Sequence, residues 1–545
     1  MSDTTQSTET VEKKETVSSV GLQDEVKQRV QLLKQEFLET LQKAKPQVSK
    51  TTQTADDATD YLYDKLGVLE QHLFNKSNPF DDWREHELKK LNKALTDGRQ
   101  ELVQAIESEF KRNPESVLAF ELDQVTDELN NTLANYKYWL RERVDVPLTY
   151  QSADAHLYHE PHGVVLIIGD WQNPLTSVLK PAISALAAGN HVILYPDPQT
   201  KKIGDALKSL LGKYLDERRV QVINTETSIQ SLLDLPINFV YASGQESKLN
   251  EISRIAAEKR VPTALSKDGM NVAIVQESAD LNHASERIVI GRFTNAGQSS
   301  TSPDVVYVHN SVFTDFFVKC KIHIFCYYKT PDKNRDYSRM LNVDYTKYVL
   351  DRISEKHEGK LETKIHFALD EKLIEPIIIT DPKDNSTIIK DPVRGPVLII
   401  KRYQEFDELV KTLNTQSNIN NIYFFSKSIQ HKSEIVAKIR NANIYINEAA
   451  FQGFNYHLPT GSVGGIYNAK IGGAYGLKTF SLSRVVMETK GIRQFKSLIP
   501  PFTADKYKKL HSLDALKKLT VRQGRMLSVG AGLFLGYLLF GGKKN

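Results

Sequence analysis

Cysteine is nearly missing from this chain: 545 residues contain two, Cys320 and Cys326. That is too few for a secreted disulfide framework or a structural zinc site, and both are read as reduced thiols. An excess of either charge is missing too. Lys and Arg number 71 against 67 Asp and Glu, a formal net charge of +4. A balance this close to zero implies no nucleic-acid partner. A secretory signal is lacking, since residues 1–20 are mostly Ser, Thr, Glu and Lys with no apolar run. What is present is an ordinary globular composition, 40% apolar and 25% charged, long enough for two or three packed domains.

The two ends differ. Residues 1–20 are expected to lack fixed structure. An amphipathic helix is predicted over 21–45, with Val26, Val30, Leu33, Phe37 and Leu41 on one stripe and Pro46 after it. It reads equally as a docking helix or as one folded back on the main domain. At the other end, Met526–Gly542 is an uncharged, mostly apolar run bracketed by Arg525 and Lys543-Lys544. Seventeen helical residues span about 25 Å, the short end of what a bilayer requires. The layout reads as a tail anchor that leaves the globular part in the cytosol, with a buried C-terminal helix as the other reading. Residues 490–525 hold ten Lys or Arg against Asp505 and Asp514, a balance suited to anionic head groups. Ser528, Gly532 and Gly536 recur on one face and permit close helix contact in lipid.

Between the ends, helical periodicity dominates from Tyr61 to Arg141. Helices are predicted from Glu85, from Gln100 to Phe110, and from Glu115 to Trp139. Val144–Glu160 is expected to be extended. Apolar runs then alternate with helical patterns: Val164–Ile168, Thr176–Ala188, Val192–Leu194, Lys202–Leu215, Val220–Ile223 and Phe239–Tyr241. Alternation of this kind predicts a doubly wound α/β sheet whose strands are covered on both faces. A second α/β unit is predicted from about Ser266 to Asn455.

The segment Gly291-Arg-Phe-Thr-Asn-Ala-Gly-Gln-Ser-Ser-Thr-Ser-Pro-Asp304 reads as a helix end, a tight polar loop and the approach to a buried strand. It resembles the nucleophile loop of aldehyde dehydrogenases of the class 3, or fatty aldehyde, branch, Asn-x-Gly-Gln-x-Cys-x-Ala-Pro-Asp. Further motifs agree in order. They are Asn334-Arg-Asp-Tyr-Ser-Arg, Gly395-Pro-Val-Leu, His457-Leu-Pro-Thr-Gly-Ser-Val-Gly, Tyr475-Gly-Leu-Lys-Thr-Phe-Ser and Ile499-Pro-Pro. The resemblance covers roughly residues 75–502. It implies an α/β aldehyde dehydrogenase-like fold of two doubly wound domains plus a bridging hairpin, to which the C-terminal transmembrane helix is added. The expected division places a dinucleotide-binding-type domain at 61–143 and 161–265. A bridging, dimer-supporting segment falls at 144–160 and 480–500, and a catalytic-type domain at 266–479. A disordered N-terminus with its helix precedes them at 1–60; the basic segment 501–525 and the anchor 526–542 follow.

The same resemblance locates the chemistry, and there the chain departs from the family. Aldehyde oxidation uses a thiolate to attack the carbonyl, a nicotinamide to take hydride, and an activated water to release the acid. The cysteine slot holds Ser300, a poor nucleophile without an adjacent base. The general-base glutamate of Glu-Leu-Gly-Gly-Lys falls on Ser266, and the 34-residue spacing to Ser300 is the family's own. The oxyanion-holding asparagine of Trp-Asn-Tyr-Pro falls on Gln172. On the cofactor side, the ribose-binding lysine and glutamate fall on Tyr195 and Pro198. The glycines of Thr-Gly-Ser-Thr-x-x-Gly fall on Ala242 and Ser247, the second ribose-contacting glutamate on Pro392, and its neighbouring phenylalanine on Arg394. The phenylalanine of Pro-Phe-Gly-Gly falls on Thr460. No metal site is expected. The leading expectation is a catalytically inactive, membrane-anchored homologue without cofactor. It would act as a structural or regulatory partner, in a homo- or hetero-dimer, at the endoplasmic reticulum or the mitochondrial outer membrane. The alternatives are an NAD- or NADP-dependent fatty aldehyde dehydrogenase with an atypical site, and a serine acyl hydrolase using Ser300.

Overall fold

The computed structural model describes residues 83–145, 153–489 other than 392, 417, 441, 465 and 466, and 500–508. The helix expected over 21–45, the anchor over 526–542, Pro392, and parts of the 144–160, 480–500 and 501–525 segments lie outside the described residues. Among the described residues no helix is long and apolar enough to cross a membrane.

The helical layer begins with Trp83–Asp97, which buries Leu88, Leu91 and Leu95 at helical spacing. Arg99–Phe110 follows and ends where Lys111 turns left-handed. The third predicted helix is interrupted. Pro114–Val117 leads into a π-turn at Leu118–Leu122 before the α-helix resumes as Asp123–Trp139. The widened turn carries Glu121, wholly buried, which accepts from Arg112 Nη1 at 3.0 Å and from the Thr176 amide at 3.1 Å. Periodicity could not show this, because a π-turn adds one residue without changing which types are apolar.

The first sheet is parallel and runs in the order β5-β4-β3-β6-β7. Its strands are β3 (Val164–Ile168), β4 (His191–Tyr195), β5 (Val220–Val222), β6 (Phe239–Gly244) and β7 (Thr263–Lys267). Every residue of β3 and β4 is buried, as continuous apolar runs under helices on both faces require. β7 includes Ser266 and Lys267, so the chain changes sheets at Asp268-Gly269.

The second sheet has seven strands in the order β10-β13-β14-β9-β8-β15-β16. These are β8 (Met270–Val275), β9 (Val305–His309), β10 (Lys360–Leu361), β13 (Ile377–Thr380), β14 (Val397–Tyr403), β15 (Ile419–Phe425) and β16 (Asn443–Ile446). All its pairings are parallel except β10 with β13. Phe367–Ala368 and Leu373–Ile374 (β11 and β12) form a small separate ladder. A third sheet joins β1 (Arg141–Arg143), β2 (Ala153–Pro161) and β17 (Ser481–Thr489), with β17 antiparallel to β2 along its whole length. The described parts of the 144–160 and 480–500 segments meet in this sheet. β17 leaves Leu482, Val485, Val486 and Met487 exposed.

Candidate functional site

A cavity of about 180 Å3 is lined from both α/β units. Its walls include Asp170 after β3, Ser243 at the end of β6, and Ser266 and Lys267 at the end of β7. Crevices at the carboxyl ends of parallel strands are where such sheets place ligands. The facing wall is the loop before β9, with Asn295, Ser299, Ser300 and Thr301.

That loop is held from every side. The helix Leu281–Phe293 ends in a tight turn in which Asn295, Ala296 and Gly297 all take positive φ, at 53°, 51° and 71°. Gly297 is required twice over: its φ is left-handed, and a Cβ there would lie 2.2 Å from the Gly395 carbonyl oxygen. Gln298 donates to the Asn295 and Arg339 carbonyls and accepts from the Leu341 amide. Asn271 donates to the carbonyls of Ser300 and Ser302, at 2.8 and 2.9 Å. Tyr423 donates its hydroxyl to the Thr301 carbonyl at 2.6 Å. Asp304 closes the loop. Completely buried, it accepts from Arg292 Nη1 at 2.9 Å and from Arg394 Nη1 at 2.8 Å, and from the Asn271 amide. Arg394 also donates to the Gly269 carbonyl at 2.6 Å. Its charge is held above the ordinary guanidinium range by Asp304 and Asp268, against the cost of burial.

What this frame presents is a hydroxyl. Ser300 Oγ donates to Asn173 Oδ1 at 3.1 Å, and the Ser300 amide reaches the same oxygen at 3.3 Å. Ser266 lines the same cavity, so the structure brings together the two positions that the family spacing paired. The oxyanion expectation at Gln172 is corrected. Its side-chain amide turns away to donate to Asp268, and the side chain that meets Ser300 is Asn173, one residue on. A one-residue difference in which side chain faces the loop is set by the turn after β3, which a motif match does not show.

Two carboxyls also belong to the cavity, and neither was foreseen. Asp170 is 6% exposed and hydrogen-bonds Asp268. Burial raises Asp170 well above the ordinary carboxyl range, and the nearby Asp268 charge raises it further. Burial also raises Asp268, while Arg394 pulls it back down. Two acids this close share a proton. Tyr241 lines the same cavity, and burial pushes its phenol upward. The available signal was Asp268 itself, a charged residue standing where the Glu-Leu-Gly-Gly-Lys motif has glycine.

The cofactor-side residues fall elsewhere. Tyr195 is buried, donates to the Thr227 carbonyl at 3.1 Å and accepts from the Thr227 amide at 3.2 Å. Ala242 is sealed in the apolar core of the first sheet, and Ser247 is exposed on the helix Glu246–Glu258. The turn glycine between β6 and that helix is Gly244, with φ 135°. A second cavity of about 400 Å3 borders it, lined by Asp170, Trp171, Asp197, Lys248, Tyr345 and Tyr348 among others. Tyr195, Pro198, Ala242 and Ser247 line neither cavity. Thr460 lines the first, and its hydroxyl donates to the Ile471 carbonyl. Cys320 is buried in the second unit's core, where burial raises its thiol; Cys326 is exposed. Neither lines either of these two cavities. Among the described residues no group of three or more His, Cys, Asp or Glu is placed to hold a metal.

Comparison with known proteins agrees with this architecture. The sequence profile described as "Aldehyde dehydrogenase family" matches residues 71–486. A 4,4'-diaponeurosporen-aldehyde dehydrogenase of Staphylococcus aureus is 28% identical over 428 residues, covering 76% of this chain and 93% of that protein. The mouse "aldehyde dehydrogenase, dimeric NADP-preferring" is 26% identical, covering 74% of this chain and 88% of that one. Among solved structures, substrate-bound Staphylococcus aureus AldH superposes with a TM-score of 0.77 at 26% identity. That match covers 82% of this chain and 98% of the other.

Proposed function

The chain belongs to the aldehyde dehydrogenase family, and from that premise we propose that it is a membrane-anchored member without aldehyde-oxidising activity, acting as a structural or regulatory partner. One observation carries the reading. The two positions that should supply a thiolate and a carboxylate base to the cavity are Ser300 and Ser266. A serine hydroxyl is a weak nucleophile unless a base takes its proton, and the Ser300 hydroxyl is engaged by an amide oxygen instead. Neither cysteine borders the cavity to replace it.

The groups on the first sheet do not suit a dinucleotide. Helix N-termini hold diphosphates through free amides and the positive end of the dipole. Here the first turn of Glu246–Glu258 carries its own carboxylate, Glu246, paired with Lys267 at 2.6 Å. Lys248 lies 3.6 Å from Asp197. Tyr195 is spent on the Thr227 backbone. The atom nearest a Cβ built on Gly244 is a carboxyl oxygen of Asp170.

The partner role is supported by the exposed apolar residues of β17 and by the dimeric mouse relative; the membrane role is supported by Met526–Gly542. One observation favours the second reading, an NAD(P)-dependent dehydrogenase with a rebuilt site. Asp268 brings a carboxyl to the cavity two residues beyond Ser266. Purified full-length protein, titrated calorimetrically with millimolar NAD and NADP and assayed with medium- and long-chain aldehydes, separates the two. No binding and no reduced nicotinamide are expected, and turnover at a normal family rate would overturn the proposal. Deleting residues 526–545 is expected to release a membrane-bound tagged chain into the soluble fraction.

A further inference from the structure

Lys180 is unused by anything described so far. It lies in the helix Thr176–Ala188, is 8% exposed, and lines the first cavity. Its Nζ donates to Gln124 Oε1 at 3.1 Å and to the Gly453 carbonyl at 3.3 Å, both neutral acceptors. Among the described residues it has no carboxylate partner at ion-pair distance. Burial lowers its pKa, against the opposing field of Glu128, Glu121 and Asp127. The π-turn at Leu118–Leu122 brings Phe120 to the same wall, and Gln124 follows one turn later.

We propose that Lys180 is the nucleophile of a carbonyl-capturing site, forming a reversible imine with small aldehydes in this cavity. A buried lysine whose ammonium lacks a counter-ion is the type of amine that forms Schiff bases near neutral pH. The size of the space selects a small ligand, since about 180 Å3 is below the range of roughly 300–1,000 Å3 for drug-sized molecules. Phe120, Pro181 and Ile471 give its alkyl or aryl group an apolar wall. In the first step the Nζ lone pair adds to the carbonyl carbon, and a proton passes from nitrogen to the carbonyl oxygen. The carbon–oxygen bond then breaks, the hydroxyl leaves with a proton as water, and a carbon–nitrogen double bond remains. One aldehyde and one amine give one imine and one water, with no change of oxidation state. The shared proton of Asp170 and Asp268 is an acid within the same cavity. The inference goes beyond the proposed loss of oxidation and does not depend on it, because capture uses no dinucleotide.

The test treats the full chain at pH 7 with propanal or benzaldehyde and sodium cyanoborohydride, followed by intact mass and peptide mapping. Lys180 is expected to be alkylated severalfold faster than exposed lysines such as Lys89, since a lowered pKa leaves more of the amine free at pH 7. Its labelling rate should also reach half-maximum at a lower pH than theirs. Lys180→Arg keeps the charge and should remove the fast adduct alone. Labelling of wild-type Lys180 no faster than that of Lys89, or with the same pH profile, overturns the proposal whether or not the variant folds.

Discussion

The two walls of the cavity have been treated differently. The loop from Asn295 to Asp304 keeps its turn, its buried Asp304 and its backbone hydrogen bonds, yet delivers a hydroxyl. The first-sheet side has polar side chains at and around its strand ends that bind one another: Asp170 with Asp268 on the cavity, Glu246 with the cavity-lining Lys267, and beyond it Tyr195 with Thr227. Residues that hold the fold answer to packing and buried charge. On the first-sheet side the polar atoms at the strand ends are satisfied by internal partners.

The largest test of this contrast is Asp304→Asn. It leaves Arg292 and Arg394 buried without their counter-charge, and a loss of about 3–5 kcal/mol is expected from denaturant unfolding. A near-neutral result would mean the loop is not braced, and the contrast would fail. Gly297→Ala comes next. It forces a Cβ against the Gly395 carbonyl at a left-handed φ, and a loss of about 1–3 kcal/mol in the same measurement is expected.

Asp170→Asn tests the other wall. Because Asp170 is raised in the folded chain, the native state binds its proton more tightly than the unfolded state does. Its contribution is therefore fully present below the ordinary carboxyl pKa. It is lost as pH rises toward the folded value, at about 1.4 kcal/mol per pH unit. Asparagine mimics the protonated acid, so the variant's unfolding midpoint should vary less with pH over that window. An unchanged slope would mean that the two carboxyls do not share a proton. The smallest effect is expected from Ser300→Cys. Stability should stay within about 0.5 kcal/mol of the parent, and no NAD(P)-dependent aldehyde oxidation should appear. Recovery of activity by this change alone would show that the first-sheet wall still serves a cofactor.

Much of the fold was legible. Val164–Ile168 and Thr176–Ala188 appear where the apolar patterns placed them, because burial on both faces of a parallel sheet leaves a continuous run. Ser266 and Ser300, 34 residues apart, line the same cavity. Less legible was which neighbour in a turn points inward. Gln172 was expected at the loop and Asn173 is there, because the turn after β3 decides the direction of each side chain. The glycine motif was matched to Ala242 and Ser247, while the turn glycine is Gly244. Lys180 fell within the helical pattern Thr176–Ala188 with nothing to single it out, and only the packing of Phe120, Gln124 and Gly453 around it makes its amine unusual.

Order along the chain was therefore settled by the sequence alone: alternating strands and helices, and the polar loop from Asn295 to Asp304 between a helix and a buried strand. Those features depend on residue type and spacing, which are local. Which polar atoms meet across the cavity was decided only in three dimensions. Asp170 and Asp268 are far apart in sequence, as are Asp304 and Arg394, and their charges interact because each sheet brings the ends of distant strands side by side.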